Sequence, residues 1–92
     1  MKFEVVLKDS ALYHLELFYK EGNKKALKKI FSLIEELKEH PKTGTGKPER
    51  LKGELDVYWS RRITSKHRMV YLIEENVIKV SVSSLRGHYN DK

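Results

Sequence analysis

The sequence predicts an α+β domain: an antiparallel β-sheet with an N-terminal two-helix hairpin packed on one of its faces, in the order β-α-α-β-β-β(-β). Three observations predict it. Apolar residues recur at helical spacing in the first half of the chain and at a period of two in the second half. The links between the later strand-like stretches are short, which favours antiparallel pairing of neighbours. The 92 residues are 39% hydrophobic and 35% charged, enough for one core and too apolar for a disordered chain.

Phe3-Glu4-Val5-Val6-Leu7 is short and β-rich and reads as a strand. Asp9-Ser10 offers helix N-cap oxygens, and Ala11, Leu12, Leu15, Phe18 and Tyr19 follow at helical spacing. Gly22 can close that helix in a left-handed conformation, and Asn23 can cap a second. Leu27, Ile30, Phe31, Ile34 and Leu37 form the strongest helical stripe in the chain. Lys24, Lys25, Lys28, Lys29, Glu35 and Glu36 take its other side, and Pro41 ends it. Thr43-Gly44-Thr45-Gly46-Lys47-Pro48 is a loop. Trp59, Arg61 and Ile63 then alternate with Tyr58, Ser60 and Arg62, so Arg61 and Arg62 belong to opposite faces. His67 to Ile73 is a further strand, Glu74-Glu75-Asn76 a tight turn, and Val77 to Ser83 the last strand. The helical hairpin covers one sheet face. The other face, with the segment 44–55 beside it, is left to meet a partner.

The formal charge of +6 is unevenly spread. Residues 1–37 are nearly neutral, residues 38–68 hold nine bases against four acids, and residues 69–92 balance. A local basic field of this kind attracts polyanions, nucleic acid first among them. The absence of cysteine excludes disulfides and thiolate metal sites. No apolar run approaches a membrane span and the first residues do not resemble a signal peptide, so a cytoplasmic location is expected.

Four groups in the second half could do chemistry. Glu49 is an acid inside the basic run Lys47-Pro48-Glu49-Arg50-Leu51-Lys52, and an ionised carboxylate is a usable base. Arg62 and Arg68 sit in strand-like stretches, where a planar fork can grip phosphate. His88, followed by Tyr89, can move protons near neutrality. The bland alternatives are a surface carboxylate balancing its neighbours, edge arginines, and a frayed tail. The spacings of His14, His40 and His67 match no metal site, and no metal or cofactor is expected. Together Glu, Arg, Lys and His supply the parts for metal-free RNA cleavage: a base for the ribose 2′-OH, cations for the phosphorane-like transition state, and an acid for the 5′-oxygen.

Five blocks in register, Gly46-Lys47-Pro48-Glu49, Leu51-Lys52, Trp59-Ser60-Arg61-Arg62-Ile63-Thr64, His67-Arg68-Met69-Val70-Tyr71 and Arg86-Gly87-His88-Tyr89, resemble the YoeB/Txe toxins of the RelE superfamily. The likeness spans essentially the whole chain. It implies a RelE-like fold over a single domain, residues 1–92. It also implies a type II toxin that cuts mRNA in the ribosomal A site and stops translation. By the resemblance Glu49 is the general base, His88 the general acid and Arg68 the phosphate-stabilising cation; Lys47, Lys52, Arg62 and Tyr89 are RNA contacts. The implied partners are mRNA on the ribosome, a cognate YefM/Axe-like antitoxin, operator DNA only together with that antitoxin, and a second copy in a homodimer. Similar toxins commonly stop at the His-Tyr pair; here Asn90-Asp91-Lys92 follow. Two other readings stand beside this one: a non-catalytic superfamily member such as a ParE-like gyrase inhibitor, and a basic RNA- or ribosome-binding module.

Overall fold

The two backbone periods meet across one sheet. The structure, a computed structural model, describes residues 2–53 and 57–87. The elements run β1 (Glu4–Leu7), α1 (Asp9–Lys20), α2 (Lys24–Leu37), β2 (Glu49–Arg50), β3 (Tyr58–Arg62), β4 (Arg68–Glu74) and β5 (Lys79–Gly87), with a 3₁₀ turn over Glu75–Val77. The strand order is β1-β5-β4-β3-β2. The consecutive strands β2 to β5 pair antiparallel, whereas β1 pairs parallel to β5, so the sheet is mixed. The helical hairpin carries the chain away after β1, and the last strand returns beside it.

Gly22 (φ +67°) closes α1 as expected. Its N–H donates to the Tyr19 carbonyl and that of Asn23 to the Phe18 carbonyl, a full Schellman closure. The Asn23 side chain then caps α2 by accepting from the Ala26 N–H at 3.1 Å. The start of α1 differs from expectation. Lys8 is its N-cap, its carbonyl already accepting from Leu12, so Asp9 and Ser10 are helical residues rather than caps. Asp9 instead places a negative charge in the first turn, and the Ser10 hydroxyl donates to the Ser83 carbonyl.

Ala11 and Phe18 of α1 and Ala26, Ile30, Leu33 and Leu37 of α2 are fully buried against Met69, Tyr71, Val80, Val82 and Leu85 of the sheet. Leu12, Tyr19 and Phe31, placed by their spacing in the helical stripes, are exposed. Ala26 and Leu33 occupy the core instead, because the helix turns those positions to the sheet. The last strand also begins later than its apolar residues suggested. Ile78 takes a left-handed conformation (φ 52°, ψ 55°) after the 3₁₀ turn, which leaves Val77 exposed and starts the ladder at Lys79.

The hairpin and the sheet are joined through a buried cation. Arg61 is fully buried on the helix side of β3. Its Nη1 donates to Glu36 Oε1 of α2 at 2.8 Å and its Nε to the Tyr71 hydroxyl at 3.1 Å. Nη1 and Nη2 also donate to the carbonyls of Thr45 and Thr43, and Nη2 to that of His40. Tyr71 donates onward to the Pro41 carbonyl at 2.8 Å. Burial raises the tyrosine above its ordinary value, with Arg61 opposing. Burial would raise the Glu36 carboxyl too. Hydrogen bonds from the Thr45 hydroxyl and N–H, together with Arg61, outweigh it and hold the carboxyl below the usual range.

Arg61→Ala is expected to lower stability by about 3–5 kcal/mol, because it leaves Glu36 and several buried carbonyls without their donor; urea unfolding measures this. Because the folded state lowers the Glu36 value, its contribution is complete above the unfolded-chain carboxylate range and is lost as pH falls through the lower folded value. Glu36→Gln should therefore unfold with a shallower dependence on acid below about pH 4.3, the unfolded-chain value. An unchanged acid limb in thermal melts would contradict this.

Candidate active site

Strand alternation determines what meets what. Since Arg61 faces the helices, Ser60 and Arg62 face the other way. The register pairs Glu49 with Ser60, Arg62 with Arg68, and Arg68 with Gly87. Residues far apart in sequence thus collect on one patch of the face away from the hairpin. Arg68 Nη1 lies 3.3 Å from Glu49 Oε2 and 3.3 Å from Ser60 Oγ. The Arg68 side chain is almost wholly buried, 7% exposed, whereas that of Glu49 is 43% exposed. The guanidinium is held from below, and the carboxylate stands open above it.

Glu49 is delivered by a loop that the buried cation anchors. Arg61 fixes the carbonyls of His40, Thr43 and Thr45, and the next residue, Gly46, accepts from the Arg62 N–H at 2.7 Å. Lys47 then adopts φ +51°, a left-handed conformation uncommon outside glycine, before Pro48 and the two-residue strand β2. Such positions persist only where the surroundings impose them, and they cluster at working sites. Lys47 and Lys52 are both exposed.

Arg62 and Arg68 are direct cross-strand neighbours. Like charges set opposite each other in a sheet are mutually destabilising, so an anion between or above them relieves the pair. Gly87 completes the patch. A Cβ there would come within 2.6 Å of Val70 Cγ2 and 3.3 Å of the Arg68 carbonyl, so β5 passes Arg68 at glycine distance. The register irregularities of β4 against β5 between Arg68 and Tyr71 fall in this region too. Irregular pairing beside working sites is a common way to aim side chains.

Of the residues singled out in the sequence, Glu49, Arg62 and Arg68 come together on this face. His88 and Tyr89 lie outside the described residues; Gly87, which precedes them, is the cross-strand partner of Arg68. Among the described residues there is no cluster of metal-ligating side chains. Sequence reasoning missed Ser60 and Gly87. The alternation that grouped Ser60 with Arg62 was the available signal for the first. For the second, only the tertiary approach of β5 reveals why a side chain is unwelcome. The arrangement can present a carboxylate base and two guanidinium groups to one phosphodiester.

Residues 9–89 match the family described as YoeB-like toxin of bacterial type II toxin-antitoxin system. The chain is 44% identical over 77 residues to Toxin YoeB of Synechocystis sp., covering 84% of this chain and 87% of that one. It superposes on the YoeB dimer structure from Staphylococcus aureus with a TM-score of 0.82 at 31% identity, over 97% of this chain and 100% of that one. It superposes on the toxin of the heterotetrameric YoeB-YefM complex from Staphylococcus aureus with a TM-score of 0.78 at 32% identity, again over 97% and 100%. The opposed arginines, the carboxylate above them and the mixed sheet that carries them therefore sit in a chain that belongs to the YoeB toxin family of bacterial type II toxin–antitoxin systems.

Proposed function

We propose that this toxin is a metal-free endoribonuclease that cuts mRNA in the ribosomal A site and so stops translation. The observation that carries the reading is the gathering of Glu49, Arg62 and Arg68 on one open face, with the Arg68 guanidinium 3.3 Å from the carboxylate. In this reading Glu49 takes the proton from a ribose 2′-OH, and the oxygen attacks the adjacent phosphorus. Arg68, nearly buried and backed by Ser60, stabilises the charge that builds on the non-bridging oxygens. Its planar fork suits both the carboxylate it orients and the phosphate it meets. His88, next in sequence after the Arg68 partner Gly87, protonates the departing 5′-oxygen. The products are a 2′,3′-cyclic phosphate, or the 3′-phosphate after hydrolysis, and a 5′-OH; DNA, without the 2′-OH, survives. Lys47, Lys52, Arg62 and Tyr89 hold the RNA.

The partners follow the same reading. The related Staphylococcus aureus toxin forms a complex with YefM, and we assign this chain an antitoxin of that kind, with operator DNA bound only in that complex. A related Staphylococcus aureus YoeB forms a dimer, and a homodimer is assigned here too. No helix among the described residues is long and apolar enough to cross a membrane, and an mRNA substrate places the work in the cytoplasm.

Mapping mRNA 5′ ends after adding the protein to a purified translation system tests the activity: new 5′-OH ends at A-site codons are expected. Intact message alongside blocked gyrase supercoiling would overturn the reading. Glu49→Gln should slow cleavage by about 10²–10⁴-fold while ribosome binding persists. Arg68→Ala should lower the single-turnover rate more than the affinity; a pure affinity loss, restored by excess toxin, would contradict its role. Lys47→Gly should separate strain from charge: relief of the left-handed φ raises stability by about 1 kcal/mol, read by thermal melting, while loss of the cation weakens RNA binding.

A further inference from the structure

The charge order of α2 is the reverse of what a helix favours. Lys24, Lys25, Lys28 and Lys29 fill its first two turns with no acid in the first turn, and Glu35 and Glu36 lie toward its end with no base in the last. Cations disfavour the positive end of the macrodipole, and like charges three or four apart repel. Glu36 has its explanation in Arg61. The four lysines have none inside the fold: among the described residues none of them forms an ion pair, and only Lys29 makes a side-chain hydrogen bond, its Nζ donating to Thr45 Oγ1 at 3.4 Å. Local rules broken without internal compensation mark places where something outside the chain compensates.

Three of those lysines border a groove. Lys25, Lys28, Lys29 and Ser32 of α2 face Thr64 and Ser65 of the turn between β3 and β4. The turn is firmly built. Ile63 and Thr64 donate to the His67 carbonyl at 2.9 and 3.2 Å, and Thr64 Oγ1 accepts from the N–H groups of Lys66 and His67. The same turn joins Arg62 to Arg68. Thr64 lies two residues past Arg62, at most ~7 Å along the backbone. The groove therefore lies at the end of the sheet where the β3–β4 turn also carries Arg62 and Arg68.

We propose that this groove binds the sugar–phosphate backbone of the RNA strand flanking the cleaved linkage. The proposal rests on the ribonuclease reading and extends it to a second subsite. Lysine ammonium groups on flexible stems, with serine and threonine hydroxyls opposite, contact phosphate oxygens without reading sequence. An acidic helical peptide fits less well. It needs several apolar sockets at helical spacing, and the groove supplies one apolar side chain, Ile63, itself 8% exposed. The strand leaves the opposed arginines, crosses the hydroxyls of the turn and lies along the lysines of α2.

The test is fluorescence anisotropy with a labelled, fully 2′-O-methylated 15-nucleotide RNA, which cannot be cleaved, titrated at several salt concentrations. Three proteins are compared: the parent, the triple variant Lys25→Gln/Lys28→Gln/Lys29→Gln, and a charge-matched control, Lys2→Gln/Lys8→Gln/Lys20→Gln. The groove variant should bind at least about tenfold more weakly and lose about 2 from its logarithmic salt slope, the share of three phosphate contacts on a single strand. The control should stay near the parent. Removing mutually repelling lysines should leave the groove variant's thermal midpoint no lower than the parent's. Equal losses in both triple variants, no salt-dependent binding by the parent, or unchanged RNA affinity with loss of poly-glutamate binding would each overturn the proposal. The RNA cannot be cleaved, so a failure of the cleavage reading shows in the mapping experiment and leaves this binding measurement intact.

Discussion

The buried guanidinium of Arg61 is the constraint on which the rest of the structure depends. A cation fully removed from water persists only when its donors are satisfied. Here they are satisfied by Glu36 of α2, Tyr71 of β4 and the carbonyls of His40, Thr43 and Thr45. One side chain thereby fixes the end of the hairpin, the centre of the sheet and the path of the loop between them. Replacing it with an apolar group of similar volume could fill the space, but it would leave the loop carbonyls with no donor. The ion pair thus specifies a loop conformation as well as contributing stability.

That specification matters because the loop ends at Glu49. Arg61 and Arg62 are adjacent in sequence and serve opposite faces of the same strand. Inward, Arg61 sets the loop. Outward, Arg62 stands opposite Arg68, which is paired with Glu49. The strained backbone at Lys47, the close passage of β5 at Gly87 and the uneven pairing of β4 with β5 are all found near that patch.

Charge clusters on two surfaces of the molecule. The first is the arginine patch with the Glu49 carboxylate. The second is the lysine row of α2, which overall charge bookkeeping conceals because acids elsewhere in residues 1–37 balance it. Counting net charge along the chain located the basic middle segment and passed over this row. Proximity in space, rather than in sequence, gives a charge cluster its field.

The amino-acid sequence by itself determined the element types, their order and the face to which each strand residue belongs. Those follow from local periods of two and 3.6 and from caps such as Gly22 and Asn23, which act over a few residues. It also marked Glu49, Arg62 and Arg68 as candidates, because a carboxylate among cations and arginines on strands have recognisable chemistry. Only the tertiary structure decided that β1 runs parallel to β5, that Leu12, Tyr19 and Phe31 stay exposed while Ala26 and Leu33 are buried, and that α1 begins without its expected cap. It alone set Arg68 between Glu49, Ser60 and Gly87. The reason is physical: such contacts join residues up to 75 positions apart in the chain (Glu4 to Lys79), and no local propensity encodes which strands meet or in what register.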